Sequence, residues 1–403
     1  MYNATAQPSA PAASAPDRAA ELRVLFICHS RALGGSELYL EQMAKRMARE
    51  ATVRVVCRPD PVLDEWAARL EAAGAEIVRI ALPDRAGFAR LRREVRWASV
   101  VHLTLANRAG AYQVLVTLAC RLERRPLVCT HQLAREAETL PLGALGRRFR
   151  ALALGTVYGA ARRHIAVSAD GLALLPRRTG LDARRTVQIS NGVDLDRFVR
   201  PAPEARAALR RRLLGDAGDG VVACCTVARL SAQKGLDVLI DAAAILRERG
   251  ATPRARFFIV GDGELRADLE AQIARLGVGD EVRLVGARPP DEVPEWLASA
   301  DLFVLPSHYE GMSLAVMEAM ATGLPVVVTR VSGTAELVPD AEHGRVVEPG
   351  DADGLAGAVA VLAADPELRT LVGMRAGEHA KSFSWDACFA KTNALLRGVA
   401  AGD

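Results

Sequence analysis

From Glu21 onward, short runs of β-branched and other apolar residues alternate with longer segments whose apolar positions recur every three or four residues. The first pattern is that of strands in a parallel sheet and the second that of amphipathic helices, so the alternation predicts repeated βα units. Strands are predicted at Arg23–Cys28, Thr52–Cys57, Glu76–Ile80, Val100–Leu103, Leu127–Thr130, His164–Val167 and Thr186–Ile189. After the turn dipeptide Asn191-Gly192 comes the charged stretch Asp194–Arg212, and then the alternation restarts at Val221–Val227, Arg256–Val260, Val282–Val285, Leu302–Leu305 and Val326–Val328. Helices are predicted over Gly235–Arg249, Glu264–Leu276, Ser313–Ala321, Asp353–Ala364 and Asp386–Arg397.

A restart of this kind marks a second domain. The expected organisation is a disordered leader rich in Ala, Pro and Ser (1–20), a first Rossmann-like domain (21–192), a second (193–382) and a terminal segment (383–403). The fold class is α/β, with two βαβ domains facing across a cleft. Ligand loops are expected at the carboxyl ends of the strands.

Composition narrows this. Of the 403 residues, 50% are apolar and 25% charged, the balance of a globular protein, and at 4% aromatic the core must be built from Ala, Val and Leu. No uncharged stretch approaches the roughly 20 residues that span a bilayer. The leader has neither a basic start nor an apolar block, so it does not read as a secretion signal, and a cytoplasmic location is expected. The seven cysteines form no Cys-x-x-Cys and sit mostly in apolar runs, which predicts buried thiols rather than disulfides or a zinc site.

The net charge of +4 conceals an asymmetry, because residues 1–200 carry 31 Lys and Arg against 19 Asp and Glu, and the remainder is acidic. Arginine pairs crowd the window Arg85–Arg185. Such a surface suits anionic partners: nucleic acid, acidic lipid headgroups or a phosphorylated substrate. Nucleic acid is disfavoured, since the pairs lack interleaved aromatics and no recognition motif is present.

Three loops carry candidate chemistry. Leu33-Gly34-Gly35-Ser36-Glu37 follows the first strand and opens a helix, where paired glycines let backbone amides approach an anion; a plain tight turn is the alternative. Arg229 and Lys234, five residues apart between a strand and a helix, can clamp a diphosphate and neutralise it as a leaving group. In Ser307-His308-Tyr309-Glu310-Gly311-Met312-Ser313-Leu314, Glu310 lies in the loop after a strand, and Glu318 falls two turns into the next helix on an otherwise apolar face. A carboxylate there needs a partner: either an internal salt bridge or the hydroxyls of a bound ribose. The amides of Gly311, Met312, Ser313 and Leu314 open that helix and can receive phosphate or sugar oxygens.

Taken in order, the Gly34-Gly35 loop, Asn191-Gly192-Val193-Asp194, the Arg229/Lys234 pair, Gly261-Asp262-Gly263 and the spacing of Glu310 and Glu318 resemble the retaining glycosyltransferases of family 4, which have the GT-B fold. The resemblance covers most of Arg23–Leu396 and is tightest in the second half. It implies a nucleotide-sugar donor held by the second domain, an acceptor chosen by the first, and a last helix crossing back to the first domain. Residue by residue it implies that Arg229 and Lys234 grip the diphosphate, Glu318 the ribose and Glu310 the sugar hydroxyls. Gly34, Gly35 and Gly261 line the donor, Arg288 lies near the base and His131 near the donor sugar. It also implies a metal-independent reaction with no cofactor, in which protein cations do the work of a metal. Family frequency favours a UDP-sugar, with GDP-mannose second, and a glycan or lipid-linked acceptor of cell-surface polysaccharide or lipopolysaccharide synthesis.

Other readings remain: a sugar-nucleotide epimerase or glycoside phosphorylase on the same fold, or a binding module without turnover. Leu140, Leu142, Leu145, Phe149, Leu152 and Leu154 stand among Arg147, Arg148, Arg150, Arg162 and Arg163. This segment, Thr139–Arg163, is expected to give peripheral contact with an anionic membrane at its inner face, a solvated arginine face being the plainer alternative.

Overall fold

The computed structural model describes residues 22–30, 33–105, 111–133, 155, 158–179, 182–215 and 220–403. The leader 1–20 and most of Thr139–Arg163 lie outside the described residues.

Within them the strands form two parallel sheets. The first has β1 (Arg23–Ile27), β2 (Thr52–Cys57), β3 (Glu76–Arg79), β4 (Val100–Leu105), β5 (Leu127–His131), β6 (Arg163–Ala166) and β7 (Thr186–Gln188), in the order β3-β2-β1-β4-β5-β6-β7. The second has β8 (Val222–Val227), β9 (Ala255–Val260), β10 (Val282–Gly286), β11 (Leu302–Leu305), β12 (Val326–Thr329) and β13 (Arg345–Val347), in the order β10-β9-β8-β11-β12-β13. Helices cover both faces, so central strands are buried throughout: Val24, Leu25, Phe26 and Ile27 are each 0% exposed. This is why they read as unbroken apolar runs. All seven cysteines are free and buried.

The charged stretch Asp194–Arg212 holds a helix that the apolar pattern does not reveal, Pro203–Leu213. Its arginines are structural. Arg206 and Arg210 reach Asp301 at 2.6 and 2.9 Å, and Asp301 also accepts from the Ala223 amide. Burial raises the Asp301 pKa, but Arg210, that amide and Arg206 outweigh it and hold the carboxyl below its ordinary value.

Much of the arginine window is likewise internally matched. Arg92 and Arg96 share Glu123 at 2.6 Å each, Arg93 takes Glu94, and Arg125 and Arg162 donate to backbone carbonyls. A hollow of about 770 Å³ lined by Arg121, Arg124, Arg125, Arg162, Arg163 and Arg185 opens at the amino ends of the first sheet's strands, away from the loops at their carboxyl ends.

The helix Trp385–Ala401 leaves the second sheet and joins the core of the first, where Trp385, Cys388, Leu396 and Val399 pack with Tyr39, Leu40 and Met43. A close backbone approach sets its start: a Cβ on Gly192 would fall 2.4 Å from the Trp385 nitrogen.

Candidate active site

In each sheet the strand order reverses once, between β1 and β4 in the first and between β8 and β11 in the second. Loops diverge at such a point and leave a crevice at the strand ends. In the second sheet this crevice collects Arg229, Gln233 and Lys234 from the loop after β8, and Ser307 and Glu310 from the loop after β11.

Glu310 is buried yet well matched. Lys234 Nζ lies 2.6 Å from its Oε1, Ser307 Oγ donates to the same oxygen at 2.7 Å, and Gln233 Nε2 reaches Oε2 at 3.4 Å. Gln233 also holds the Tyr309 carbonyl at 3.0 Å. Lys234 is therefore engaged by Glu310, a pairing across 76 residues that local sequence does not reveal. Gly235, with φ +59, allows this turn; a Cβ there would fall 2.2 Å from the Pro306 carbonyl oxygen.

Arg229 is exposed and, among the described residues, has no carboxylate partner. It reaches toward the first sheet, where a Cβ on Gly34 would sit 3.5 Å from its Nη2. Gly261 and Gly263 carry this loop from beneath: Cβ atoms on them would fall 1.9 Å from the Ala228 and 2.4 Å from the Leu230 carbonyl oxygens. The place of Gly261 is thus under the Arg229 loop, where any side chain would push Arg229 aside. Arg288 is exposed, with its guanidinium 5.9 Å from the centre of the Trp296 ring.

Glu318 lies on the helix Leu314–Ala321, half-buried. No described residue gives its carboxyl a hydrogen bond, so the internal salt bridge is not formed. Desolvation pushes its pKa up to about 7, with the Arg197 charge opposing. At the start of this helix, no described residue accepts from the backbone N–H groups of Gly311, Met312, Ser313 and Leu314. Met312 and Ser313 are themselves buried, so these two offer backbone rather than side chain.

The first sheet closes against this loop. A Cβ on Gly311 would lie 1.8 Å from the Gln132 carbonyl oxygen, and one on Gly35 would meet Leu314 Cδ1 at 3.4 Å. Asn191 Nδ2 donates to Gln132 Oε1 at 3.0 Å, and Glu336 Oε1 accepts from the Ala169 amide at 2.5 Å.

His131, at the end of β5, is buried. Its Nε2 lies 3.0 Å from His164 Nδ1, while His164 Nε2 lies 3.1 Å from the Tyr158 carbonyl oxygen. A carbonyl only accepts, so His164 carries its proton on Nε2 and accepts at Nδ1, and His131 donates from Nε2. Burial, then the His164 ring, hold the His131 pKa well below its ordinary value. This is a neutral imidazole, not a cation facing a phosphate.

The loop Gly34-Gly35-Ser36-Glu37 already holds a carboxyl group of its own. Glu37 is buried, takes Ser36 Oγ at 2.8 Å, and its pKa is raised by burial against the opposing Ser36, Ser30 and loop amides. Ser307, Gln233 and Glu37 are the site residues that motif spacing passes over. Their signal is adjacency, each being a polar residue within three positions of one that the motifs single out.

Two family profiles match the chain: Glycosyltransferase Family 4 over residues 33–197 and Glycosyl transferases group 1 over residues 218–379. It is 30% identical over 397 residues to the GDP-mannose-dependent alpha-(1-6)-phosphatidylinositol monomannoside mannosyltransferase of Mycolicibacterium smegmatis, covering 91% of this chain and 95% of that one. It is 34% identical over 225 residues to the D-inositol 3-phosphate glycosyltransferase of Kribbella flavida, covering 54% of this chain and 52% of the relative. Among solved structures, Anabaena HepE in complex with UDP and glucose superposes with a TM-score of 0.80 at 24% identity, covering 94% of this chain and all (100%) of that one, a likeness of fold. With its two facing parallel sheets and these matches across both halves, the chain belongs to glycosyltransferase family 4 and is a GT-B glycosyltransferase.

Proposed function

We propose that this enzyme transfers a sugar, with retention at the anomeric carbon, from a nucleoside diphosphate sugar to a hydroxyl of a glycan or lipid-linked acceptor. The observation that carries the reading is the lysine–carboxylate pair of Lys234 and Glu310 at the crevice of the second sheet, beside Arg229, which has no carboxylate partner among the described residues and reaches the Gly34 turn.

In this reading Arg229 and Lys234 take the diphosphate, and Lys234 turns from Glu310 toward it when donor enters. Glu310, freed on one side, accepts hydroxyls of the donor sugar. Glu318 takes the ribose hydroxyls, and the amides of 311–314 meet phosphate or sugar oxygens. Gly35 leaves room for the phosphate from across the cleft, and His131 offers the sugar a neutral ring. The bond from the anomeric carbon to the diphosphate breaks while the bond to the acceptor oxygen forms on the same face. The acceptor proton passes to the leaving diphosphate oxygen. Each cationic or amide contact to the leaving group is worth roughly 3–4 kcal/mol in the transition state.

GDP-mannose is the first donor to test, because the relative matching 91% of this chain is named as dependent on it, and UDP-hexoses come second. No described helix is long and apolar enough to cross a membrane, and peripheral contact through the basic first domain is the form of membrane association proposed.

Thermal stabilisation by GDP, UDP and their sugars tests the site, with wild type compared to Lys234→Ala. A ligand at 100 times its dissociation constant adds about 2.7 kcal/mol. A shift in wild type that the variant loses supports the assignment. No shift with any nucleotide overturns it.

A further inference from the structure

Beside the donor loop the two domains dock through a carboxylate. Glu336, on the one-turn helix Thr334–Leu337 of the second domain, reaches the start of the first domain's helix Ala169–Thr179. Its Oε1 accepts from the Ala169 amide at 2.5 Å and from Gln188 Nε2 at 3.3 Å. Ser168 caps the same helix, its Oγ accepting from the Gly171 amide at 3.2 Å, and that hydroxyl lies 2.9 Å from Ser332 Oγ of the second domain. A carboxylate of one domain thus meets an open amide at a helix start in the other, where the helix dipole favours negative charge. From within the second domain, His379 Nε2 donates to the Glu336 carbonyl at 2.7 Å and pins the turn in place.

The same turn is joined to Glu310 by a chain of hydroxyls. Thr334 Oγ1 donates to the Thr329 carbonyl at 2.8 Å, Thr329 Oγ1 to the Ser307 carbonyl at 2.5 Å, and Ser307 Oγ to Glu310 Oε1 at 2.7 Å. All four residues are buried, and the cavity they enclose with Ser332 and Leu337 is about 10 Å³, room for one water at most. Packing supplies a second link. A Cβ on Gly333, whose φ is +81, would fall 2.6 Å from the Gly311 carbonyl oxygen, and Gly311 in turn faces Gln132 of the first domain. So closely packed an arrangement transmits a shift rather than absorbing it. A displacement of the Ser332–Glu336 turn therefore moves Ser307 and Gly311, and with them the Glu310 carboxylate.

We propose that Glu336 is a positioning residue: by holding the amino end of the helix Ala169–Thr179 it fixes the second domain's turn and, through Thr334, Thr329 and Ser307, orients the Glu310 carboxylate toward the donor sugar. Docking of the domains and engagement of the sugar are then one event, with the nucleotide held independently. That Glu310 meets the sugar rests on the transfer reading above; the docking contact does not.

Titration calorimetry and X-ray scattering on the full chain test this, with GDP-mannose and UDP-glucose as probes, each set against its free nucleoside diphosphate. Glu336→Ala is expected to weaken binding of the nucleotide sugar about tenfold, as loss of a charged hydrogen bond does, and to leave binding of GDP or UDP unchanged, which also reports folding. Glu336→Gln keeps an oxygen for the Ala169 amide and is expected to recover most of that loss. Thr329→Val interrupts the chain inside the second domain, so it should give the same split between sugar and nucleotide without altering the radius of gyration, whereas Glu336→Ala should enlarge that radius in the unliganded chain. Because both act on Glu310 along one route, the double variant should lose little more than either single one. Unchanged binding of the nucleotide sugar by Glu336→Ala, a parallel fall in nucleotide binding, or fully multiplied losses in the double variant overturns the proposal. A wild type that binds neither nucleotide nor nucleotide sugar overturns the transfer reading instead, and scattering then decides the docking contact: an unchanged radius in Glu336→Ala removes it.

Discussion

Lys234 Nζ stands 2.6 Å from Glu310 Oε1, with both side chains largely buried. Removing one partner of such a pair strands the other charge, which costs more than the pair contributes net. Lys234→Ala is expected to lower the stability of the unliganded chain by about 2–4 kcal/mol, the lower end reflecting the Ser307 and Gln233 contacts that Glu310 keeps. Lys234→Ala/Glu310→Gln should recover part of that loss while remaining inactive. Urea unfolding and turnover of a nucleotide sugar check both, and a double variant as unstable as the single one would remove the coupling.

Glu318 gives a pH signature whose sign follows from its cause. Desolvation raises its pKa from an ordinary 4.5 to about 7, so the folded chain holds this proton more tightly than the unfolded one. The stability it contributes is complete below pH 4.5 and is lost as pH rises through about 7. Glu318→Gln, which never ionises, is expected to gain on wild type in melting temperature between pH 5 and pH 8. Donor affinity should move oppositely in wild type, rising through pH 7 as the carboxylate that takes the ribose forms, and be weak and pH-independent in the variant. Flat affinity in wild type would deny Glu318 that role.

The alternation of strand and helix was legible because central strands are buried on both faces, and Val53, Val55, Val56 and Cys57 announce this without tertiary knowledge. β13 was not, because it is three residues long and begins with Arg345. Pro203–Leu213 escaped for another reason: its arginines serve Asp301, about ninety residues away, and charge pattern alone cannot distinguish that from a solvated surface. The motifs located Lys234 and Glu310 singly, but their pairing depends on β8 lying beside β11, a fact of strand order.

The histidines set an acid limit. Burial holds His102 down to about 3 and His164 down to about 4, and His131 is shifted the same way by burial and by its neighbour. A histidine buried neutral contributes stability that is present above its unfolded pKa and is lost as pH falls toward the folded one. Unfolding free energy of Glu318→Gln, in which the opposing carboxyl is silent, is therefore expected to hold from pH 8 to about 6.5 and then decline steadily toward pH 4. A flat profile across that range would mean these rings are charged in the fold.

Gly311 and Gly34 separate crowding from chemistry. A Cβ at Gly311 would sit 1.8 Å from a backbone oxygen of the other sheet's loop, whereas one at Gly34 would meet only ordinary contacts at 3.5 Å. Gly311→Ala is expected to force the two sheets apart, seen as a larger radius in X-ray scattering together with a fall in turnover of about a hundredfold, as misplacement of reacting groups produces. Gly34→Ala should leave both stability and radius unchanged. A compact, active Gly311→Ala would show that the closed approach of Gln132 is dispensable.

Trp385 ties the last helix to the far domain. It is 3% exposed, its ring centre lies 6.3 Å from that of Tyr39, and the segment before it is pinned by the Val193 amide donating to the Phe383 carbonyl at 2.8 Å. Truncating a buried tryptophan costs about 3–5 kcal/mol, because packing is lost and a cavity remains. The neighbouring ion pair from Arg46 to Asp386 is short at 2.8 Å, but its aspartate side chain is 87% exposed, so it is worth less than about 1 kcal/mol. Trp385→Ala is thus expected to unfold the first domain ahead of the second, giving two steps in urea where wild type gives one. Asp386→Ala should follow wild type. Since the helix begins in one domain and buries itself in the other, the same loss should also weaken closure, raising KM for donor before it lowers kcat. A Trp385→Ala chain that melts in one step with unaltered KM would show that the helix anchors the chain end without coupling the domains.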